Sequence, residues 1–199
     1  MAEKKTRNRK PLPIGVSDFK EIVENNYYYI DKTNFISEIS ENTGKTLLFT
    51  RPRRFGKTLN MSTLKYFFDI KNASENRKLF NGLDIEKSVY ISEQGKYPVI
   101  FISMKGIKAT TWLASLFAIK GLIAELYNEF EFIKKVLNES ELNIFDKIWL
   151  KKDDGEYSNA LKNLTAYLYK YYKKEVILLI DEYDNPLITA YEYHYYDDA

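Results

Sequence analysis

A glycine, a lysine and a threonine stand together at Gly56, Lys57 and Thr58, directly before a run with helical spacing. The first N–H groups of a helix have no acceptor within the helix and lie at the positive end of its dipole, so they bind anions. Glycine lets the backbone approach a phosphate, lysine reaches the β- and γ-phosphates, and the threonine hydroxyl faces Mg²⁺. The predicted nucleotide contacts lie in and just after this loop: Arg53, Arg54, Phe55, Gly56, Lys57, Thr58 and Leu59.

The loop departs from the usual phosphate-binding pattern at one position. The full pattern G-x-x-x-x-G-K-[ST] has a glycine where Arg51 stands, which predicts a different first turn. A second Gly-Lys-Thr begins at Gly44, but it precedes an apolar run instead of a helix, and we interpret it as a turn. Arg51, Arg53 and Arg54 crowd the loop, where they either neutralise phosphate oxygens or form a solvated basic surface.

An acidic pair follows the most apolar run of the chain. Residues 176–180 read Val-Ile-Leu-Leu-Ile and lead into Asp181 and Glu182, which is the Walker B pattern. In that pattern Asp181 holds Mg²⁺, commonly through a water, and Glu182 polarises the attacking water. The alternative is that the two acids only cap the last helix. The Gly-Lys-Thr loop and the acidic pair, in the right order and each after an apolar run, together favour a phosphate site.

The elements that would position these residues alternate along the chain. Residues 46–50, 99–102 and 176–180 have the composition of strands buried on both faces, and residues 27–30 have strand composition as well. Helices are predicted between these segments, with N-caps at Ser17, Thr33, Ser140 and Asp184. Pro186 lies in the first turn of the last helix, and a Tyr-rich helix is predicted over residues 161–172. Apolar strands separated by long helices predict an α/β layered fold with a mainly parallel sheet.

The clearest helical pattern runs from Trp112 to Leu137, with apolar residues spaced alternately four and three apart. Such spacing is compatible with a coiled coil. Because two positions of the stripe are aromatic rings, we favour a core-facing helix of a single domain.

Composition excludes several classes of chemistry. The 199 residues contain no cysteine and one histidine, His194, which excludes disulfides, thiolate catalysis and a histidine-cluster metal site. Residues 1–12 form a basic arm, expected to be disordered, although such an arm can also contact nucleic acid or anionic lipid. Without a secretory signal or a stretch long enough to cross a bilayer, the chain is expected to be cytoplasmic.

Four separated motifs resemble those of the bacterial AAA-ATPase-like domain family. They are the segments Pro13-Ile14-Gly15-Val16 with Asp18-Phe19, Tyr29-Ile30-Asp31-Lys32-Thr33, Arg51-Pro52-Arg53-Arg54-Phe55-Gly56-Lys57-Thr58, and Asp181-Glu182-Tyr183-Asp184. The resemblance covers residues 11–196, and the Arg-Pro-Arg-Arg-Phe form of the loop is usual in that family. It implies a P-loop ATPase domain, which we place over residues 13–199, with ATP as the nucleotide; Mg²⁺ is expected from Thr58 and Asp181. Many members carry a restriction-like nuclease domain at the C-terminus.

Three functional readings follow from the motifs and the resemblance. The first is an Mg²⁺-dependent ATPase in which Lys57 and Glu182 act catalytically and Thr58 and Asp181 hold the metal. The second is an ATP-responsive switch with little turnover, and the third is a protein-interaction or self-associating domain with a degenerate loop. Because only 17 residues follow Glu182, no strand is expected after the last helix, and we expect a truncated, weakly hydrolysing form of the family domain.

Overall fold

A computed structural model describes residues 9–50, 52, 54–152 and 155–198. The chain divides into two compact units, Met1–Lys96 and Tyr97–Ala199. No helix in the described part of the chain has the length and apolar character needed to cross a bilayer.

The first unit is helical. Its α-helices are α1 (Phe19–Glu24), α2 (Asn34–Glu41), α3 (Lys57–Phe68) and α4 (Ala73–Arg77), followed by the short 3₁₀ segments Lys78–Phe80, Asp84–Lys87 and Val89–Glu93. Three rings form its centre, with Phe80 packed against Phe19 at 4.9 Å and against Phe67 at 5.3 Å between centroids. All three side chains are at most 1% exposed, so this aromatic cluster is the core on which α3 rests.

The second unit contains the sheet. It comprises β1 (Val99–Ser103), α5 (Trp112–Glu129), α6 (Glu139–Trp149), α7 (Ala160–Tyr172), β2 (Ile177–Asp181) and α8 (Asn185–Glu192), with short 3₁₀ segments between and after them. The two strands are parallel, and their register pairs Val99 with Ile177 at one end and Ser103 with Asp181 at the other. The mixed α/β class and the parallel pairing predicted from the sequence are confirmed.

Helices α5, α6 and α7 bury their apolar sides in one core with β1. Ile100, Tyr127, Phe145 and Leu164 are completely buried there, and the Tyr127 hydroxyl donates to the carbonyl of Ala160 at 2.8 Å. Burial raises the pKa of Tyr127, as expected for a phenol removed from water. The apolar stripe of α5 therefore packs inside its own unit, as the core-facing reading predicts.

The α-helix from Trp112 ends sooner than its spacing indicated. It stops at Glu129, and a 3₁₀ segment, Glu131–Val136, carries the chain onward. Ile133 and Leu137 are still buried, at 0% and 9% exposure, because the tighter segment continues along the same core. The alternating spacing of four and three therefore predicted which residues are buried, but not that the α-helix gives way to a 3₁₀ segment.

The predicted strand over residues 46–50 is not formed. The segment has no strand pairing, and Leu47, Leu48 and Phe49 are 37%, 66% and 44% exposed. Its own unit has no β-strand among the residues described, so the segment has no neighbour there to accept its backbone hydrogen bonds. Residues 27–30 are likewise not a strand, although Tyr28 donates its N–H to the carbonyl of Pro11 at 2.8 Å.

The predicted capping residues were close but shifted. The side chain of Asp18, not Ser17, caps α1, and Asn138 caps α6 in place of Ser140 through a capping box with Glu141. Thr33 and Asp184 occupy the N-cap positions of α2 and α8, but neither side chain makes a capping hydrogen bond.

Candidate nucleotide site

The predicted phosphate loop leads directly into α3, as the sequence indicated. Gly56 is the N-cap with φ of 75°, in the left-handed region that favours glycine, and Lys57 is the first helical residue. Arg54 also has a positive φ, 69°, so the backbone turns twice before the helix begins. Arg51 and Arg53 lie outside the described residues.

The N-terminus of α3 has no side-chain cap. The first backbone bond of the helix joins the N–H of Asn60 to the carbonyl of Gly56 at 2.9 Å, so the N–H groups of Lys57, Thr58 and Leu59 precede the helical ladder. Lys57 and Thr58 are half-buried. Among the described residues these three N–H groups have no backbone acceptor, so this end of α3 has the donors and the charge that an anion requires.

An open cleft of about 390 Å³ borders this loop. One side is formed by the loop and the start of α3, through Arg54, Phe55, Gly56, Leu59 and Asn60; the other side is formed by residues before the loop: Pro13, Ile22, Tyr28, Tyr29, Ile30 and Lys32. The cleft thus brings four of the predicted contact residues together, whereas Lys57 and Thr58 lie beside it in the first turn and do not line it.

Aromatic and apolar side chains dominate the cleft's rim. Phe55, Tyr28 and Ile30 are 60%, 53% and 62% exposed, which leaves their faces available to a flat ligand. Burial, with Asp31 nearby, raises the pKa of Tyr29 to about 12, so this phenol stays neutral at physiological pH.

The walls of this cleft were missed from sequence. Residues 27–30 have the composition of a strand, whereas the place of residues 28–30 in the cleft wall depends on contacts with residues distant in the chain. Asp31 makes those contacts, since its carboxylate accepts hydrogen bonds from Thr33 and, at 2.7 Å, from the backbone N–H of Asp84. Thr33 in turn accepts from the N–H of Ile85 at 3.1 Å. In the sequence, the only feature that pointed to this wall of the cleft was the family-like motif over residues 29–33.

The acidic half of the prediction lies in the second unit. Asp181 is the last residue of β2 and is 4% exposed. Its backbone carbonyl accepts from Met104 at 3.0 Å, but its Oδ2 is buried with no hydrogen-bond partner among the described residues. A buried acceptor left unpaired costs about 1–3 kcal/mol, and more when it is charged, so a water, a donor or a cation at this oxygen would be stabilising.

Glu182 follows with φ of 52° and is half-buried. Its backbone carbonyl accepts from the N–H of Asn185 at 3.0 Å, which turns the chain from β2 towards α8. Neither acid caps α8, because the N-cap position is Asp184. The alternative that Asp181 and Glu182 serve only as caps is therefore wrong.

Asp181 fits a magnesium ion that arrives with a nucleotide. No group of three or more metal-ligating side chains occurs in the described ranges, so a cage made only of protein ligands is not present there. Magnesium in nucleotide sites uses one or two carboxylates, phosphate oxygens and water. One buried carboxylate oxygen with no partner among the described residues suits that arrangement.

The other Gly-Lys-Thr behaves as a turn. The N–H of Gly44 binds the side-chain oxygen of Asn42 at 2.8 Å, Lys45 lies in a bend, and no helix begins in residues 46–50. This copy therefore has no helix N-terminus with which to hold a phosphate.

Comparison with known proteins identifies the family. A family profile described as "Predicted AAA-ATPase" matches residues 13–199, and the chain belongs to this AAA-ATPase-like family. The chain is also 31% identical over 182 residues to the "Uncharacterized protein in vnfD 5′ region" of Azotobacter chroococcum mcd 1. That match covers 91% of this chain and 30% of the relative, so the chain spans under a third of the relative's length. No solved structure shows a significant match.

Proposed function

We propose that this chain binds ATP with Mg²⁺ through residues 13–199, acting as one P-loop NTPase-type domain. The loop and first turn of α3 hold the phosphates through Arg53, Arg54, Phe55, Gly56, Lys57, Thr58 and Leu59. Asp181 and Thr58 hold Mg²⁺, and Glu182 orients water for hydrolysis. The bound metal supplies positive charge against the β- and γ-phosphate oxygens.

The start of α3 supports this proposal most strongly. An uncapped helix N-terminus, a left-handed glycine and a lysine in the first turn occur beside a cleft with aromatic walls. A volume of about 390 Å³ is within the usual range of about 300–1,000 Å³ for small-ligand clefts. A nucleotide accounts for both the helix N-terminus and the cleft, because its phosphates would bind at the start of α3 and its base would lie in the cleft.

A titration with two ligands tests the proposal. Calorimetry at saturating Mg²⁺ compares ATP with inorganic tripolyphosphate, which has the phosphates but no base. We expect saturable binding of both, with ATP tighter, since stacking of a base on an aromatic ring is worth about 1–3 kcal/mol.

The matched variants are Tyr28→Ala in the cleft and Val89→Ala, an 80% exposed side chain of the same unit that does not line the cleft. Tyr28→Ala should weaken ATP about fivefold or more and leave tripolyphosphate unchanged, and Val89→Ala should alter neither. Absence of ATP binding by the wild-type protein would refute the function. Steady-state hydrolysis by the same protein then separates an ATPase from an ATP-responsive switch with little turnover.

A further inference from the structure

Ser103 and Asp181 form the last pair of the parallel strands. Directly paired residues of neighbouring strands point to the same face of a sheet, and the strands lie about 4.8 Å apart. The Ser103 side chain is half-buried. Its hydroxyl makes no hydrogen bond to another residue within the described ranges. The Ser103 hydroxyl and the Asp181 carboxylate therefore lie on the same face of the sheet, and Asp181 Oδ2 also has no hydrogen-bond partner among the residues described.

The surroundings hold this pair in place. The side-chain amide of Asn185 lies 3.2 Å from each of the carbonyl oxygens of Met104, Lys105 and Ile107, so its two hydrogens are shared among three acceptors. The N–H of Met104 donates to the carbonyl of Asp181. The loop after β1 is thus fastened to both ends of the turn after β2, which limits the movement of Ser103 relative to Asp181.

Ser103 is the one polar residue of β1, at the end of an otherwise apolar strand. The strand reads Val-Ile-Phe-Ile-Ser, so its only polar side chain lies at the edge where β2 ends in an acid. A neutral hydroxyl beside a buried carboxylate adds a hydrogen-bonding group without the repulsion that a second acid would add. The alternative is that Ser103 only terminates β1 and has no role at the site.

We propose that Ser103 is a positioning residue of the cation site, its hydroxyl orienting a water of the hydrated ion whose charge Asp181 balances. Magnesium keeps several of its waters when it is bound in proteins, so a hydroxyl within reach of one of them has a defined partner. This inference rests on the proposed function, because the ion arrives with ATP.

The test measures the Mg²⁺ concentration that gives half-maximal ATP binding, by calorimetry, together with the electron paramagnetic resonance spectrum of Mn²⁺ in the ATP complex. Ser103→Ala should raise the half-maximal Mg²⁺ concentration about two- to tenfold, the worth of one hydrogen bond, and should alter the Mn²⁺ spectrum. Binding of ATP without metal should not change. Ser103→Thr, which retains the hydroxyl, should resemble the wild type, and the exposed Ser158→Ala should have no effect.

Ser103→Cys keeps the volume but loses the strong hydrogen bond, so it replaces Ser103→Ala if the latter fails to fold. An unchanged Mg²⁺ dependence in both variants, while Asp181→Asn removes that dependence, overturns this inference and leaves the proposed function standing. A wild-type protein whose ATP binding does not depend on Mg²⁺ overturns both.

Discussion

Asp18 and Ser62 are 44 positions apart in the chain, and the Ser62 hydroxyl donates a hydrogen bond of 3.1 Å to the Asp18 carboxylate. The same carboxylate caps α1 and accepts from the Tyr66 hydroxyl at 3.0 Å. Ser62 in turn accepts from the N–H of Phe19 at 2.9 Å. Asp18 thus joins the segment before α1 to α3, the helix that begins at the phosphate loop, and its place in the family motif has a structural reason.

Replacing Asp18 with alanine should destabilise the first unit. The substitution removes a helix cap worth about 1 kcal/mol and two bonds to a charged acceptor, so we expect a loss of about 2 kcal/mol or more. Chemical denaturation followed by circular dichroism measures it. Glu24→Ala is the control, because its contact with Lys20 at 3.7 Å is an exposed ion pair of little worth. Equal stability of the two variants would contradict the role given to Asp18.

Lys57 should be required for nucleotide affinity and Lys45 should not. Both lysines follow a glycine and precede a threonine, but only Lys57 lies in the first turn of a helix. Lys57→Ala should weaken ATP binding at least tenfold, since a charge-assisted hydrogen bond is worth about 1.5–3 kcal/mol. Calorimetric titration of ATP–Mg²⁺ into each variant gives the comparison. Similar losses for Lys57→Ala and Lys45→Ala would place the phosphates elsewhere.

Substitutions of Asp181 and Glu182 should have different effects on ATP binding and on ATP hydrolysis. Asp181→Asn should weaken ATP binding only in the presence of Mg²⁺, because it removes the charge of a buried carboxylate. Glu182→Gln should keep ATP binding and lose hydrolysis in any preparation that turns over, because an amide is a poor acceptor of the water's proton. Paired binding and phosphate-release assays distinguish the two. Undiminished hydrolysis by Glu182→Gln would remove Glu182 from the proposed mechanism.

The stability of the second unit should depend on pH through Glu141. Its carboxylate lies 2.7 Å from the Lys170 ammonium and accepts from the N–H of Asn138, and these contacts lower its pKa from the usual 4.5. A carboxylate with a lowered folded-state pKa contributes stability above its unfolded pKa and loses it as pH falls through the folded value. Urea unfolding of the wild type and of Glu141→Gln, which retains the capping box, should therefore differ at pH 6 and converge as the pH falls below the lowered pKa of Glu141. A difference that persists unchanged in acid would exclude ionisation as its source.

The sequence by itself determined the local features of this protein. Helical spacing placed most of the long helices, and the apolar runs before Ser103 and Asp181 predicted β1 and β2, because these patterns record which side of each element faces a core. The motifs around Lys57 and Asp181 also identified the family, now confirmed by the profile over residues 13–199. Their roles in binding remain proposals.

Only the tertiary structure decided what depends on partners distant in the chain. Residues 46–50 have the composition of a buried strand, as β2 does, yet they form no strand, because a strand exists only where another backbone accepts its hydrogen bonds. The register that sets Ser103 beside Asp181 could not be read from either strand alone, since a slip of one residue would reverse the face of every side chain. The cleft between Tyr28 and Phe55 likewise depends on the long-range bonds of Asp31. Composition and spacing indicate which side chains of a segment can be buried, whereas strand pairing and tertiary packing determine which residues those side chains contact.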